Sequence, residues 1–336
     1  MTRYKYVAIA IITLLAGYYC SCQCNNPTII ETEPKNYQPE NPQSGDPTPS
    51  RTWGRGTQSV GKNRGIPRNG CWNTCYMNST LQVLFALYGD RVKDKCSGAA
   101  EGTMAAKMLG LITNVTNPID GASSNTCEEE KEIESFFKSM KDPKPGAPTK
   151  PSINDGIGWW ASDVTITADT SELFASFLEW LDVQSLEVNV RPGVAPEFVA
   201  TSAEAIAKLP FHVGSTTMQA LIDQVNLNKV SCLYHNIFIV ELGRSDNVNE
   251  TKSNEDIENP LNITIKKTHS DLTEDANYNL VSFIHHNGGY FGGHYTAYIK
   301  EDTKWICYND SSVSIVSGID AEAIAKKAYV FFYKKN

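Results

Sequence analysis

The residues that could do nucleophilic chemistry lie in two stretches, more than two hundred positions apart. Cys75 stands in "NTCYMNSTLQVL" (73–84), directly before an apolar stripe of helical spacing. A thiol in the first turn of a helix faces unpaired backbone N–H groups and the positive end of the helix dipole, and both favour the thiolate. A buried structural cysteine is the common alternative, so position alone does not assign a role to Cys75.

A histidine able to take a proton from a thiol stands in "GGHYTAYIK" (292–300). His294 follows two glycines and opens a run of alternating apolar residues, which places it at the start of a strand. His285 and His286, at the end of the preceding apolar run, are second candidates. We expect His294 to be the partner of Cys75.

A cysteine–histidine pair also needs a group that holds the imidazole in the useful tautomer, and Asn or Asp does this by accepting the ring N–H. "WICYNDSSV" (305–313) supplies Asn309 and Asp310 in the next predicted strand. Two neighbouring antiparallel strands would bring Asn309 beside His294. An Asn-Asp pair is also an ordinary turn signal, so the pair carries weight only together with the histidine.

Helices and then strands must position these groups. The stripe after Cys75 predicts a helix that Thr74 or Asn73 caps and Gly89 ends. Further helices are predicted over 128–141 and 171–181, with a loop over 142–156 between them. After about residue 210, short β-rich runs predict an antiparallel sheet, and this order indicates an α+β domain with a cleft between its two parts. The stripe consists of Met77, Leu81, Leu84 and Tyr88.

Four segments of the chain, which follow one another in the order found in the family, resemble the ubiquitin-specific protease (USP) family of deubiquitinases. The cysteine segment resembles the family's cysteine box, and 278–300 with 305–313 resembles its histidine box, including Trp305 four residues before Asn309. "ADTSELFASFLEWLD" (168–182) resembles the second box, and "AYVFFYKK" (328–335) the closing strand. The resemblance implies a papain-like cysteine protease fold with a helical thumb, a β-rich palm and reduced fingers.

The same resemblance implies roles, residue by residue. Cys75 would be the nucleophile, His294 the base and then the acid, and Asn309 the group that orients the ring; Asp310 would support the reaction. The loop 285–293 would fold over the substrate tail and admit only glycine-sized residues. The residues expected to contact the substrate are Asp169, Glu172, Gly292, Gly293 and Tyr295.

The chain departs from the family pattern in several places. Family members have an oxyanion-donating Asn five residues before the nucleophile, and Gly70 stands there; Asn69, one step away, or Asn73 could take its place. Cys71 is a weaker candidate nucleophile because its neighbours do not match. Ala168 replaces the usual Gln of the second box. The paired cysteines of a zinc-binding fingers region are missing from the sequence, so we expect no metal and no cofactor.

The N-terminus predicts export. Arg3 and Lys5 precede an apolar run over 7–19, and cysteines follow, which is typical of a signal peptide over 1–24 or of a lipoprotein signal acylated at Cys22. An uncleaved anchor is the alternative. Residues 25–64 are Pro- and Asn-rich and read as a disordered linker, which leaves 65–336 as the catalytic domain. The net charge of −8 argues against nucleic-acid binding.

Together these features predict an exported deubiquitinase that hydrolyses the bond at the C-terminal glycine of ubiquitin. Two glycosylation sequons fall inside the predicted site, at Asn78 and Asn309, and a free thiol favours a reducing destination. We therefore expect a bacterial effector, either membrane-anchored or secreted toward a eukaryotic host. The alternatives are an inactive ubiquitin-binding module, a protease for a ubiquitin-like modifier and a structural surface lipoprotein.

Overall fold

A computed structural model describes residues 61–66, 74–116, 169–183, 188–190, 206–211, 216–227, 236–246, 249–266 and 274–336. The predicted signal (1–24), most of the predicted linker, and the predicted helix over 128–141 with its following loop lie outside these residues. So do Asn69, Gly70, Cys71 and Asn73. The described residues all belong to one structural unit, Arg55–Asn336.

Three helices precede the main sheet along the chain: α1 (Cys75–Lys95), α2 (Met104–Thr116) and α3 (Thr170–Trp180). The predicted stripe of α1 is fully buried, and so are polar residues on its other faces. Thr80, for example, places its hydroxyl 2.6 Å from that of Thr170 at the start of α3. Helix α1 therefore lies inside the domain, between α3 and the sheet.

Helix α1 is longer than predicted, because Gly89 does not end it. Val92 and Cys96 extend the buried spacing of four beyond Tyr88. Their burial offsets the roughly 1 kcal/mol by which a glycine disfavours a helix interior. The predicted cap is also only partly right: Thr74 occupies the N-cap position, but its side chain makes no cap hydrogen bond.

The β-rich half forms a mostly antiparallel sheet, as predicted, with eight strands among the described residues. The strands are β2 (Ile206–Pro210), β4 (Ile237–Gly243), β7 (Asn262–Ile265), β8 (Ala276–Gly288), β9 (Gly293–Glu301), β10 (Lys304–Asn309), β11 (Ser312–Val316) and β12 (Val330–Lys335). They follow the order β11-β10-β9-β8-β12-β4-β2, with β7 pairing with β8, and within this sheet β2 and β4 are the pair that runs parallel.

Short elements complete the described fold. Two small antiparallel pairs join β1 (Val188–Val190) with β3 (Val225–Leu227) and β5 (Ser245–Asp246) with β6 (Thr251–Lys252). Two short helices are α4 (Met218–Gln224) and α5 (Gly318–Ala325). No helix within the described ranges is long and apolar enough to cross a membrane.

Strand β8 is longer than predicted and shortens the loop expected over 285–293. The register with β9 continues to the pair Gly288–Gly293, which leaves only 289–292 as a turn. Gly288 has a φ of +147°, and a Cβ there would lie 2.4 Å from the carbonyl oxygen of Gly292. Only glycine fits that position, so the glycines allow the two strands to pair up to the turn.

The last residues of the predicted linker are packed onto the domain. Arg64 donates its backbone N–H to the carbonyl of Val115 at the end of α2, at 3.0 Å. Lys62 donates its backbone N–H to the Glu301 carboxylate, at 2.8 Å. A Cβ on Gly65 would lie 2.5 Å from the backbone of Asp310, so the segment passes very close to the β10–β11 turn.

Candidate active site

Three elements meet where the candidate residues lie. Cys75 is the first residue of α1, His294 the second of β9, and Asn309 the last of β10. Strands β9 and β10 are antiparallel neighbours, and α1 packs against β9. The structure therefore brings together the three side chains that the sequence analysis grouped, although Cys75 lies more than two hundred positions before the other two in the sequence.

The imidazole of His294 is held by Asn309. Its Nε2 lies 2.6 Å from the Asn309 Oδ1. Because an amide oxygen can only accept, Nε2 carries the proton and Nδ1 is left to face the thiol. Asp310 Oδ2 is farther from Nε2, at 3.9 Å, so Asp310 acts on the ring through its charge.

The thiol of Cys75 is buried, with 8% of its surface exposed, yet its pKa lies below the ordinary value. Burial pushes this pKa upward. The hydrogen bond with the His294 side chain and a backbone hydrogen bond from Tyr295 outweigh that effect. Cys96, which is buried without such partners, has a pKa raised to about 11.

The pKa of His294 moves the opposite way, above its ordinary value. The hydrogen bond to Cys75 is the main cause, and it prevails over burial, which favours the neutral ring; Asn309 and the charge of Asp310 add to it. A lowered thiol pKa beside a raised imidazole pKa means that each group favours the charged form of the other, which is the direction that a thiolate–imidazolium pair requires.

Asp310 is fixed by a residue to which the sequence analysis gave no role in the reaction. Asn78, one turn after Cys75 on α1, donates its Nδ2 to Asp310 Oδ1 at 2.8 Å and is 1% exposed. Asp310 adopts a φ of +50°, which places its carboxylate between α1 and His294. A buried polar residue three positions after the cysteine was the available signal, because such a group needs a partner.

A cavity of about 230 Å³ opens beside Cys75. The turn 289–292, the rings of Tyr295 and Tyr329 and the carboxylate of Asp169 line it. Glu172, exposed in the first turn of α3, lines an adjoining cavity that also includes Asp169. The predicted substrate residues therefore line two adjoining cavities, together called the groove below, and Cys75 lines the first of them.

The glycines of the turn have different surroundings. A Cβ on Gly293 would lie 2.5 Å from the backbone carbonyl oxygen of Asn287 and from the ring of His286. A Cβ on Gly292 would meet nothing within 4 Å. Gly293 is therefore required by the close pairing of the strands, whereas Gly292 leaves room in the groove.

Asp169 belongs to a polar network on the groove wall. As the N-cap of α3 it accepts from the Ser171 backbone N–H at 2.7 Å, and the Tyr329 hydroxyl lies 2.9 Å from its Oδ2. The same hydroxyl lies 3.0 Å from Glu241 Oε1. Burial is the main reason that the pKa of Glu241 is raised.

The two alternative histidines, His285 and His286, have surroundings that differ from those of His294. His285 and His286 lie on β8, and burial is the main cause that lowers the pKa of each to about 4. Both are therefore neutral near pH 7, and the ring of His286 packs on Tyr295 at a centroid distance of 4.4 Å. Neither has the electrostatic setting of His294.

Residues 68–333 match the protein family described as "Ubiquitin carboxyl-terminal hydrolase". The chain belongs to this family. Part of it is 47% identical, over 60 residues, to Homo sapiens "Ubiquitin carboxyl-terminal hydrolase 15", and part is 35% identical, over 77 residues, to "Ubiquitin carboxyl-terminal hydrolase 5" of Arabidopsis thaliana. These matches cover 17% and 22% of the chain but only 6% and 8% of those relatives, so the chain aligns with a small part of each.

The fold is also that of the family. The SAGA DUB module that contains Ubp8, Sgf11, Sus1 and Sgf73, bound to monoubiquitin, has a chain similar in structure, with a TM-score of 0.57 at 15% identity. The alignment covers 81% of this chain and 69% of that chain. This likeness confirms the predicted papain-like fold of the USP type. No cluster of three or more His, Cys, Asp or Glu residues suited to a metal ion occurs within the described ranges.

Proposed function

We propose that this chain is a cysteine-type deubiquitinase that hydrolyses the bond between the C-terminal glycine of ubiquitin and a lysine amine. The observation that carries the proposal is the pair formed by Cys75 and His294, with its opposed pKa shifts, at the end of a groove in a member of this family. Asn309, hydrogen-bonded to the far side of the imidazole, supports the same assignment.

The chemistry follows from the protonation states. The Cys75 thiolate attacks the glycine carbonyl carbon, and the resulting tetrahedral intermediate collapses as the His294 imidazolium gives its proton to the leaving amine. The products of this step are a free lysine amine and a thioester between Cys75 and ubiquitin. His294, now neutral, takes a proton from water, which attacks the thioester and releases ubiquitin with a terminal carboxylate.

The groove suits a tail that ends in two glycines. The turn 289–292 and the aromatic rings form its walls beside Cys75, and a residue with a larger side chain would meet them there. Asp169 and Glu172 add negative charge farther along the groove, which suits a basic segment of the tail. We assign the oxyanion donor to Asn69 or Asn73.

Hydrolysis of ubiquitin bearing a fluorogenic amide at its C-terminus tests the proposal on the full chain. We expect turnover that is lost in Cys75→Ala and kept in Cys96→Ser, since Cys96 lies at the far end of α1. Turnover of ubiquitin-like substrates in parallel separates a protease for another modifier, and tight ubiquitin binding without turnover would indicate a binding module.

We further propose that the chain is exported from a bacterium and acts on ubiquitin conjugates of a eukaryotic host, held at the membrane by a lipid on Cys22. The support is the order of basic residues, apolar run and cysteines at the N-terminus. Metabolic labelling with a radioactive fatty acid tests the lipid: label lost in Cys22→Ala but kept in Cys24→Ala supports it, and label absent from the wild type contradicts it.

A further inference from the structure

Lys252 is the last residue of β6, and its ammonium group reaches across to the end of β8, directly before the 289–292 turn. Its Nζ lies 2.6 Å from the carbonyl oxygen of His286, 3.1 Å from that of Gly288 and 2.8 Å from His286 Nδ1. An ammonium has three N–H donors, and these three acceptors use all of them. A single side chain thus joins the β5–β6 hairpin to the end of β8.

The protonation states of the two partners fit this arrangement. His286 is neutral near pH 7, because burial lowers its pKa to about 4, so its Nδ1 can accept from the ammonium. Burial and then the charge of Arg244 lower the pKa of Lys252 to about 8. The domain therefore holds a charged ammonium in a partly desolvated position, an arrangement that is found more often at functional sites than elsewhere.

The base of the hairpin has its own anchor. The Arg244 guanidinium donates to the carbonyls of Ala328 and Lys326 at 2.8 Å each and to that of Glu255 at 2.7 Å. Arg244 thus fixes where the hairpin begins, and the bonds of Lys252 are additional. They are directed at the last residues of β8, directly before the turn.

The turn follows directly after the strand end that Lys252 holds. A bond from the backbone N–H of Gly289 to the carbonyl of Gly292, at 3.0 Å, closes it. Phe291 at its tip is 79% exposed. The same turn and Lys252 itself line the cavity beside Cys75. A small movement of the turn would therefore change the space next to the thiol.

We propose that Lys252 is a positioning residue for the reaction. By holding the end of β8, it keeps the 289–292 turn in the position beside Cys75 that admits an extended glycine tail. This role rests on the proposed function, since the tail is what the held turn would accept. The side chain acts on substrate entry through the turn and leaves the thiolate–imidazolium pair unchanged.

Three variants of the full chain test the proposal. Lys252→Met keeps the length of the side chain and removes its donors, and Lys252→Arg restores charged donors. Lys266→Met is the matched control, because Lys266 pairs with Asp223 at 2.8 Å in another part of the domain.

Amide hydrogen exchange gives the first readout, since it needs no substrate. We expect the amides of 289–292 to exchange about tenfold faster in Lys252→Met, as suits the loss of a charge-assisted hydrogen bond, while Lys252→Arg and Lys266→Met stay near the wild type. Unchanged exchange in Lys252→Met would overturn the proposal whether or not the chain acts on ubiquitin.

Kinetics give the second readout. With the fluorogenic ubiquitin substrate, we expect Lys252→Met to raise KM roughly tenfold with kcat changed less than about twofold, and Lys252→Arg to recover most of the loss. Alkylation of Cys75 by iodoacetamide, which needs no ordered turn, should not change. An equal fall in kcat and in alkylation would overturn the proposal, because Lys252 would then act on the catalytic pair.

Discussion

Replacing His294 with alanine should remove the main influence that lowers the pKa of Cys75. Three effects lower the pKa of this thiol, and two of them come from the His294 side chain; burial and the charge of Asp310 oppose them. In His294→Ala the raising effects therefore prevail. Cys96 shows what burial does to a cysteine in this domain, since its pKa is about 11.

The size of the effect follows from that comparison. A pKa that rises from at most 9.0 to about 11 lowers the thiolate fraction at pH 7 by at least about 100-fold. A more basic thiolate is also more nucleophilic, and a Brønsted slope of about 0.4–0.5 returns roughly six- to tenfold. The rate of alkylation of Cys75 at pH 7 should therefore fall about tenfold or more.

The assay is iodoacetamide labelling across pH, in a Cys71→Ser background so that the peptide 69–91 carries one cysteine. Wild-type labelling should rise with pH through a pKa below 9.0, and His294→Ala labelling should rise only at higher pH, as expected of a thiol governed by burial. His285→Ala, which removes a buried neutral histidine, should follow the wild type. An apparent pKa for His294→Ala at or below the wild-type value would refute this account of the thiolate.

Three further substitutions test the surroundings of the site. Gly293→Ala should lower kcat/KM and the melting temperature, because the added Cβ would lie 2.5 Å from the β8 backbone. Gly289→Ala is the control: its Cβ would have no neighbouring atom within 4 Å, so the melting temperature should stay at the wild-type value. Asn78→Ala should cost about 1.5–3 kcal/mol in urea unfolding, the value of a hydrogen bond to a charged group, and much less when Asp310 is already alanine; equal costs in both backgrounds would contradict the contact. Tyr329→Phe removes the hydroxyl between two carboxyl groups and should destabilise the domain by about 1–3 kcal/mol; no change in the urea midpoint would show that the hydroxyl is not needed there.

The sequence predicted the elements whose residues repeat at a regular spacing. The stripe of α1, the apolar face of α3 and the strands that flank His294 are all where the pattern placed them. Helix α2 lies outside every predicted element, although its buried residues also recur at helical spacing. The sequence predicted that α1 ends at Gly89, but the burial of residues after this glycine stabilises the helix beyond it.

Contacts between distant segments could not be predicted from local pattern. Asn78 contacts Asp310, which lies 232 positions away in the sequence, and Lys252 contacts His286, which lies 34 positions away. Nothing near either residue in the sequence identifies which distant residue is its partner, because the pairing is made by the packing of α1 and of the hairpin on the sheet. The candidate catalytic residues were easier, since each stands in a motif of its own.

The central claim is that Cys75 attacks the carbonyl at the end of the ubiquitin tail. Incubating the full chain with ubiquitin that carries an electrophile at its C-terminus, followed by mass spectrometry of the adduct, tests this directly. The account predicts one ubiquitin per chain, attached at Cys75 and formed about tenfold more slowly, or slower still, in His294→Ala at pH 7. An adduct on another cysteine, or no adduct with a correctly folded chain, would contradict it.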